Sequence, residues 1–119
     1  MEPKPIQWVK SSKDDLCEFP AKVVRQIGYA LYFAQLGDKH PSAKPLKGFG
    51  SAGVLEVIED HDGDTYRAVY TIKFSGAVYV LHAFQKKSKS GIKTPRQTIE
   101  LIKERLKLAE EDYKKRKEK

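Results

Sequence analysis

The sequence predicts an α+β domain, in which a twisted antiparallel sheet packs two N-terminal helices on one face and carries a C-terminal helix. Three strand-like runs, at residues 53–60, 65–74 and 77–85, follow one another across short turns. Apolar residues at helical spacing occur before these runs and again after them. With 119 residues, the chain has the length of one domain (1–119), and a core of that size forms without disulfides or metals.

The N-terminal half contains signals for one strand and two helices. Residues 6–9 are a strand candidate behind two prolines, which suits an edge strand. Ser11 or Ser12 can cap a short helix whose first turn is acidic, and this helix ends before Pro20. Pro20 fits the first position of a second helix, and Gly37 is suited to end it. The apolar stripe of the second helix consists of Val24, Ile27, Leu31 and Ala34.

Turn signals separate the three strands. Residues 38–52 are rich in proline, glycine and lysine, and they predict a long loop before the first strand. Asp62-Gly63 is among the strongest short hairpin signals, and Ser75-Gly76 is a weaker one. The alternation of apolar and polar residues is imperfect, as expected where both faces of a sheet are partly covered.

A C-terminal helix follows a basic segment. Thr94 and Pro95 predict its start, and Gln97 completes a capping box. Its apolar stripe consists of Ile99, Ile102, Leu106, Ala109 and Tyr113. Residues 113–119 form a tail that is too charged to bury, so we expect the tail to fray.

Two-residue turns would fix the register of the strands, because pairing then follows by counting from each turn. The predicted cross-strand rows are Glu56–Val69–His82 and Ile58–Arg67–Phe84. Side chains alternate between the two faces. The predicted core face carries Leu55, Val57, Ala68, Tyr70, Ile72, Tyr79, Leu81 and Ala83. The predicted polar face carries Val54, Glu56, Ile58, Arg67, Val69, Lys73, Val80, His82, Phe84 and Lys86.

The charge balance restricts the possible partners. The chain has 23 Lys+Arg against 16 Asp+Glu, a formal net charge of +7 and a pI near 9.4. Such an excess favours a polyanion: nucleic acid, an anionic membrane or an acidic protein. Cys17 is the only cysteine, so no intramolecular disulfide can form and a reducing cytoplasm is the expected location. Without a secretory signal or a run of membrane-spanning length, the sequence predicts a soluble intracellular protein.

Several classes of catalytic site have no motif in this sequence. It has no Ser/His/Asp set, no Gly-rich phosphate loop and no Cys/His spacing for zinc. The string "EDHDGD" (59–64) resembles a metal-binding string, but it lacks the rest of a calcium loop, and a hairpin turn explains it. We therefore expect no metal and no cofactor. Metal-free chemistry on a phosphodiester, or no chemistry at all, remains.

A cluster of basic residues suggests a site for RNA. Lysines beyond the third strand, joined by lysines of the 38–52 loop, could line a groove for a phosphate backbone, and Phe84 could stack on an unpaired base for about 1–3 kcal/mol. The candidate RNA-binding residues are Lys44, Lys47, Lys73, Phe84, Lys89, Lys93 and Arg96. The alternative is a lysine-rich surface that only keeps the protein soluble.

Arg67 and His82 could act chemically on such an RNA. A charge in the middle of a strand is costly unless it is exposed or paired. Arg67 either clamps a phosphate from an exposed cationic surface or pairs with its diagonal neighbour Glu56, and both can hold if Glu56 orients the guanidinium. His82 is either a general acid or base near neutral pH or a satisfied, half-buried histidine.

The order of elements and three segments resemble the RelE/HigB superfamily of toxin–antitoxin toxins, and most closely its phage-derived HigB-like branch. The segments are "YRAVYTIKF" (66–74), "YVLHAFQKKSKSGIKTP" (79–95) and, more weakly, "GVLEV" (53–57). The similarity extends from Ile6 to Leu108. It implies a RelE-like α+β fold and a ribosome-dependent mRNA endonuclease, an mRNA interferase, that inhibits translation without a metal.

The resemblance also implies roles for individual residues. The implied catalytic residues are Arg67, His82, Lys86 and Lys87. Arg67 matches the strand arginine that holds the scissile phosphate, and Glu56 matches a strand carboxylate that orients Arg67. The implied partners are the ribosome, mRNA and a cognate antitoxin of the helix-turn-helix type, with no membrane. The alternative is a catalytically inactive or ParE-like member that acts as a basic nucleic-acid- or protein-binding module.

Overall fold

Five strands and three helices form the part of the chain that the computed structural model describes, residues 2–50, 53–86 and 95–118. In chain order they are β1 (Ile6–Trp8), α1 (Ser12–Cys17), α2 (Ala21–Gln35), β2 (Ala43–Pro45), β3 (Val54–His61), β4 (Asp64–Thr71), β5 (Val78–Lys86) and α3 (Arg96–Lys117). The strands form one sheet in the order β1-β5-β4-β3-β2. Only β1 pairs in parallel, with β5, and the other described pairs are antiparallel. The predicted α+β class and the mostly antiparallel sheet are confirmed.

Each face of the sheet packs against a helix. On one face the sheet meets α2, and the buried residues there include Val23, Ile27, Leu31, Leu55, Val57, Ala68, Tyr70, Val78 and Val80. On the other face it meets α3, and the buried residues include Val54, Val69, Tyr79, Leu81, Ile102 and Ala109. Burying one such side chain contributes about 1.5–3 kcal/mol, so apolar burial holds each helix to its own face. Coverage of both faces explains the imperfect alternation in the sequence.

The turn at Asp62-Gly63 sets the register of β3 and β4. Both residues have positive φ, 51° and 84°, as a type I′ hairpin turn requires. The observed pairs Glu56–Val69 and Ile58–Arg67 are those predicted by counting from this turn. Aspartate tolerates the left-handed conformation because its short polar side chain can hydrogen-bond locally, and glycine has no Cβ to clash.

The second hairpin differs from its prediction in two ways, and their effects on strand register cancel at Arg67, His82 and Phe84. β4 ends at Thr71, so residues 72–77 connect the strands where a two-residue turn was predicted. The longer connection shifts the pairing by one residue, so that Thr71 faces Tyr79. A bulge at Leu81 then shifts it back, and Val69 faces His82 as predicted. The cross-strand pairs that contain Arg67, His82 and Phe84 are therefore those predicted.

The bulge nevertheless moves three residues to unpredicted faces. Tyr79 and Leu81 were assigned to the face of Leu55, but both pack on the α3 side. Val80 was assigned to the polar face, but it packs on the α2 side. The assignment was wrong because a bulge places two successive residues opposite one partner and so reverses the alternation beyond it. Ile72, predicted on the core face, lies outside the strand and is exposed.

Element ends also depart from the sequence predictions. The predicted loop at residues 38–52 contains β2, which pairs with β3. Pro20 precedes α2 as its N-cap and is not its first residue, and α3 begins after Pro95 without a side-chain cap. Thr94, the predicted cap, lies outside the described residues. Gly37 ends α2 as predicted, with φ 86°.

The backbone is helical through residues 113–117, where fraying was predicted. Tyr113 packs on the α3-side core, with its ring 5.1 Å from that of Phe74. Four consecutive basic residues occupy the last turn, where they interact favourably with the negative end of the helix dipole. Fraying of this tail in solution stays a prediction.

The Asp62-Gly63 turn gives a direct test of register. We expect Asp62→Val to lower the free energy of unfolding by about 1–2 kcal/mol, because a β-branched residue is strained at positive φ. Asp62→Asn is the matched control and should retain stability, since asparagine also adopts this conformation. Urea denaturation followed by circular dichroism measures both. Equal stabilities for the two variants would contradict the assigned turn.

Candidate functional site

Most of the described candidate residues lie in two adjacent cross-strand rows on the α3 side of the sheet, which we call the polar rows. The first row is Lys44, Glu56, Val69 and His82, from β2 to β5. The second row is Ile58, Arg67 and Phe84. Facing residues in neighbouring strands share a face, so the sheet brings these side chains together. The predicted grouping of Arg67, His82 and Phe84 on one face is confirmed.

Arg67 and Glu56 form an ion pair within the polar rows. Arg67 Nη1 lies 3.0 Å from Glu56 Oε2, and both residues are 6% exposed. Arg67 Nε is buried and has no hydrogen-bond partner in the described part of the chain. The predicted exposed position of Arg67 is wrong, since the residue is buried against its partner Glu56. The alternative prediction, a pair with Glu56, is confirmed.

His82 lies at the other end of the first row. Its Nδ1 is 3.3 Å from Arg105 Nη1, and its ring stacks on Phe84 with centroids 5.0 Å apart and an interplanar angle of 21°. Burial lowers the pKa of His82 to about 4, and the nearby Arg105 charge adds to this effect, while Asp15 opposes it. The imidazole is therefore neutral at pH 7. This agrees with the predicted half-buried histidine, of which one ring nitrogen is hydrogen-bonded, and removes the near-neutral pKa expected of an acid/base group.

Arg105 is a residue that sequence reasoning missed. Its Nη1 donates to the carbonyl of Leu81 at 3.0 Å, so it attaches α3 to the bulge beside His82. The signal was present, since Arg105 lies three residues after Ile102 and therefore on the buried side of the helix. A second attachment joins Tyr79 to Asp112, where the hydroxyl donates to Oδ2 at 2.8 Å.

The candidate RNA-binding residues Lys44, Lys47, Lys73 and Arg96 are all exposed, but they lie at different places on the protein. Lys44 is exposed in the first row, beside Glu56. Lys73 follows the end of β4, and Thr71 is already about 13 Å along the strand from Arg67. Lys47 follows β2 toward the same end as Lys73. Lys47 and Lys73 therefore both lie away from the row that contains Arg67.

Arg96 is the first residue of α3 and is exposed. The contacts of Tyr79 with Asp112 and of Leu81 with Arg105 show that α3 runs antiparallel to β5. Arg96 therefore lies toward the end of β5 that carries Phe84. β5 ends at Lys86, whose side chain is outside the described part, as are Lys87, Lys89 and Lys93 entirely.

A depression of about 510 Å³ lies beside the polar rows but differs from them in charge. Its lining residues are Asp15, Glu18, Phe19, Pro20, Tyr66, Ala83, Phe84 and Gln85. Among the described residues, two carboxylates and no cation line it, and these carboxylates disfavour a phosphate backbone. Within residues 2–50, 53–86 and 95–118, no three metal-ligating side chains come together. No helix among these residues is long and apolar enough to cross a membrane.

Comparisons with known proteins give one family and one fold. The profile described as "Phage derived protein Gp49-like (DUF891)" matches residues 14–107. A double arginine-to-alanine mutant of E. coli toxin RelE in the free state is 16% identical, with a TM-score of 0.51 over 69% of this chain and 82% of that one. A chain of the Mycobacterium tuberculosis toxin–antitoxin complex RelBE2 is 17% identical, with a TM-score of 0.48 over 71% and 100%. No curated protein sequence matches significantly.

The buried ion pair predicts a strongly non-additive mutant cycle. Glu56→Leu alone should lower the free energy of unfolding by about 3–5 kcal/mol, because it leaves a buried guanidinium unpaired. The double variant Glu56→Leu with Arg67→Met should recover most of that loss, since neither charge remains. Urea denaturation of the two single variants and the double variant measures the coupling. Additive losses would mean that the two side chains do not pair.

The low pKa of His82 predicts a loss of stability in acid. The unfolded chain binds a proton at His82 near pH 6.5, whereas the folded chain does so only near pH 4. Stability is therefore complete above pH 6.5 and decreases as the pH falls to 4, by up to about 3 kcal/mol. Denaturation of the wild type and of His82→Gln at each pH isolates this contribution from the carboxylates. Parallel pH profiles for the two proteins would contradict it.

Proposed function

Because this chain belongs to the phage-derived Gp49-like family and shares the fold of RelE, we propose that it is the toxin of a type II toxin–antitoxin system. In this proposal it is an mRNA interferase that cuts mRNA on the ribosome and stops translation. Its partners are the ribosome, mRNA and a cognate antitoxin of the helix-turn-helix type. The net charge of +7 supports a polyanionic substrate.

The polar rows are the observation on which the proposal rests. They put a buried arginine–glutamate pair, a stacked histidine and phenylalanine, and the exposed Lys44 on one face of the sheet. Arg67 keeps one buried N–H without a partner among the described residues. A cation in a low-dielectric surrounding stabilises developing negative charge more strongly than one in water.

The chemistry proposed is cleavage of RNA by its own 2′-hydroxyl. The 2′-oxygen attacks the adjacent phosphorus, the bond to the 5′-oxygen breaks, and a cyclic phosphate and a 5′-hydroxyl form. The hydroxyl proton leaves to a base, and the departing 5′-oxygen takes up a proton. Lys86 and Lys87 beyond the strand would stabilise the negative charge on the phosphorane-like transition state directly, whereas Arg67, which is buried and paired with Glu56, would act on that charge electrostatically without contact. Phe84 would support an unpaired base.

A second candidate is a member of the same fold that binds nucleic acid or protein without cutting RNA. Two observations favour it: Arg67 is already paired with Glu56, and His82 is neutral with a pKa too low for acid/base work near pH 7. Such a protein would use the same basic surface but leave transcripts intact. The two candidates therefore differ in the state of cellular mRNA.

Mapping of transcript 5′ ends after induction tests the proposal. We expect new 5′ ends at a fixed codon position in translated reading frames, because the enzyme would cut only where the ribosome holds the mRNA. The stability-matched variant Glu56→Leu with Arg67→Met should remove these ends. Lys103→Ala with Lys107→Ala, on the exposed side of α3, is the control and should retain them. Growth arrest with intact transcripts would instead support the non-cutting candidate.

Salt dependence tests the role of the basic residues in binding. Each phosphate that the protein neutralises contributes about −0.7 to the slope of log K against log[salt] for a single strand. Lys44→Ala with Lys47→Ala should therefore reduce the steepness by about 1.4, if each lysine contacts one phosphate. Lys103→Ala with Lys107→Ala removes the same charge elsewhere and should leave the slope unchanged. A slope close to zero in the wild type would contradict binding of RNA through its backbone.

A further inference from the structure

At the junction between α3 and the β5 bulge, one arginine side chain contacts three polar groups. Arg105 Nη1 is 3.0 Å from the carbonyl oxygen of Leu81 and 3.3 Å from Nδ1 of His82. This nitrogen carries two hydrogens, so it can serve both acceptors at once. Arg105 Nη2 lies 3.5 Å from Ser11 Oγ, which links the same guanidinium to the N-terminus of α1.

The chemistry of arginine decides which tautomer of His82 fits this junction. A guanidinium only donates hydrogen bonds and remains protonated at any physiological pH. A neutral imidazole carries its proton on one nitrogen and accepts with the other. Nδ1 of His82 must therefore be the acceptor, and the proton must be on Nε2.

The N–H of this tautomer is available to a ligand. No other described residue hydrogen-bonds to Nε2 of His82, while the ring is half-buried and held against Phe84. Two charged groups face the ring from the elements packed against it, Arg105 from α3 and Asp15 from α1. Arg105 and burial together outweigh the opposing effect of Asp15, so the ring stays neutral. A fixed, neutral N–H donor thus lies at the end of the first polar row.

We propose that Arg105 is a positioning residue that holds His82 as the neutral Nε2–H tautomer, so that His82 is a hydrogen-bond donor and not a general base. The part of this inference that concerns RNA rests on the proposed function, in which the acceptor is a phosphate oxygen of the bound strand. A donor fixed in advance needs no reorganisation when negative charge develops on that oxygen. The guanidinium also opposes the binding of a second proton at Nδ1, since it adds to the effect of burial.

Nitrogen-15 NMR of the three histidines tests the tautomer without any assay of activity. His40→Gln and His61→Gln variants assign the signals, so that those of His82 can be followed from pH 4 to 8. We expect a pyridine-like Nδ1 and a pyrrole-like Nε2 throughout the range above pH 5. A pyrrole-like Nδ1, or a titration of His82 at pH 6.5 or above, would overturn the proposal.

The Arg105→Met variant tests whether Arg105 sets the tautomer of His82. Methionine keeps most of the length of the side chain but removes the donor and the charge. The pH midpoint of the His82 titration should therefore rise, and the imidazole should populate both neutral tautomers. Lys103→Met removes a charge from the exposed side of the same helix and should change neither property. Should Arg105→Met fail to fold, Arg105→Lys retains a cationic donor group, whose ammonium only donates hydrogen bonds, and it should keep the Nε2–H tautomer. Unchanged His82 signals in a folded Arg105→Met variant would overturn the proposal.

Transcript cleavage by two His82 variants tests the consequence for catalysis. The side-chain amide of His82→Gln can donate from a position close to that of Nε2, so this variant should keep most of the cleavage rate. His82→Leu cannot donate and should lose about 100- to 1,000-fold. Equal losses for the two variants would identify a proton-transfer role and contradict the donor role. Absence of cleavage by the wild type would reject the proposed function, and the NMR result would then decide the role of Arg105 by itself.

Discussion

A buried ion pair in the middle of the sheet constrains the residues around it. Arg67 and Glu56 lie on neighbouring strands at diagonal positions, and each is 6% exposed, so neither charge is satisfied by water. Their contact requires the register that the Asp62-Gly63 turn sets, because a slip of one residue would send the guanidinium into the core on the α2 side. An unpaired charge there would cost several kcal/mol. The pair thus selects one register, and that register assembles the polar rows.

The second constraint is the attachment of α3 across the same face. Arg105 and Asp112 lie about two helical turns apart, and they contact Leu81 and Tyr79 on β5. Burial, with the hydrogen bond to Asp112, raises the pKa of Tyr79 to about 12, so its hydroxyl remains a donor. Two such contacts, together with the apolar residues between them, fix the helix relative to the strand. The helix also places the Arg105 charge beside His82, which adds to burial in keeping the imidazole neutral.

The sequence predicted the parts of the site that depend on local signals. The Asp-Gly turn carries its own conformational requirement, and the pairing of Arg67 with Ile58 followed from it. The pairing of Arg67 with Phe84 agrees with the prediction only because the longer second connection and the bulge offset each other. The bulge at Leu81 has no such signal, because neither glycine nor proline marks it, and its effect on Tyr79 and Val80 could not be counted. The burial of Arg67 is a tertiary property that a mid-strand charge does not reveal in the sequence. Arg105, by contrast, was detectable from its place on the apolar side of a helix.

Titration of single-stranded RNA into nitrogen-15-labelled protein tests most directly whether the polar rows form the RNA site. Chemical-shift changes should concentrate at the backbone amides of Lys44, His82 and Phe84 and at the side chain of Arg67, and they should weaken as salt is added. The opposite face provides an internal reference, since Tyr29 and Tyr32 of α2 are exposed there and carry no predicted role. Shift changes confined to that helix, with the polar rows unaffected, would contradict the assignment of the site.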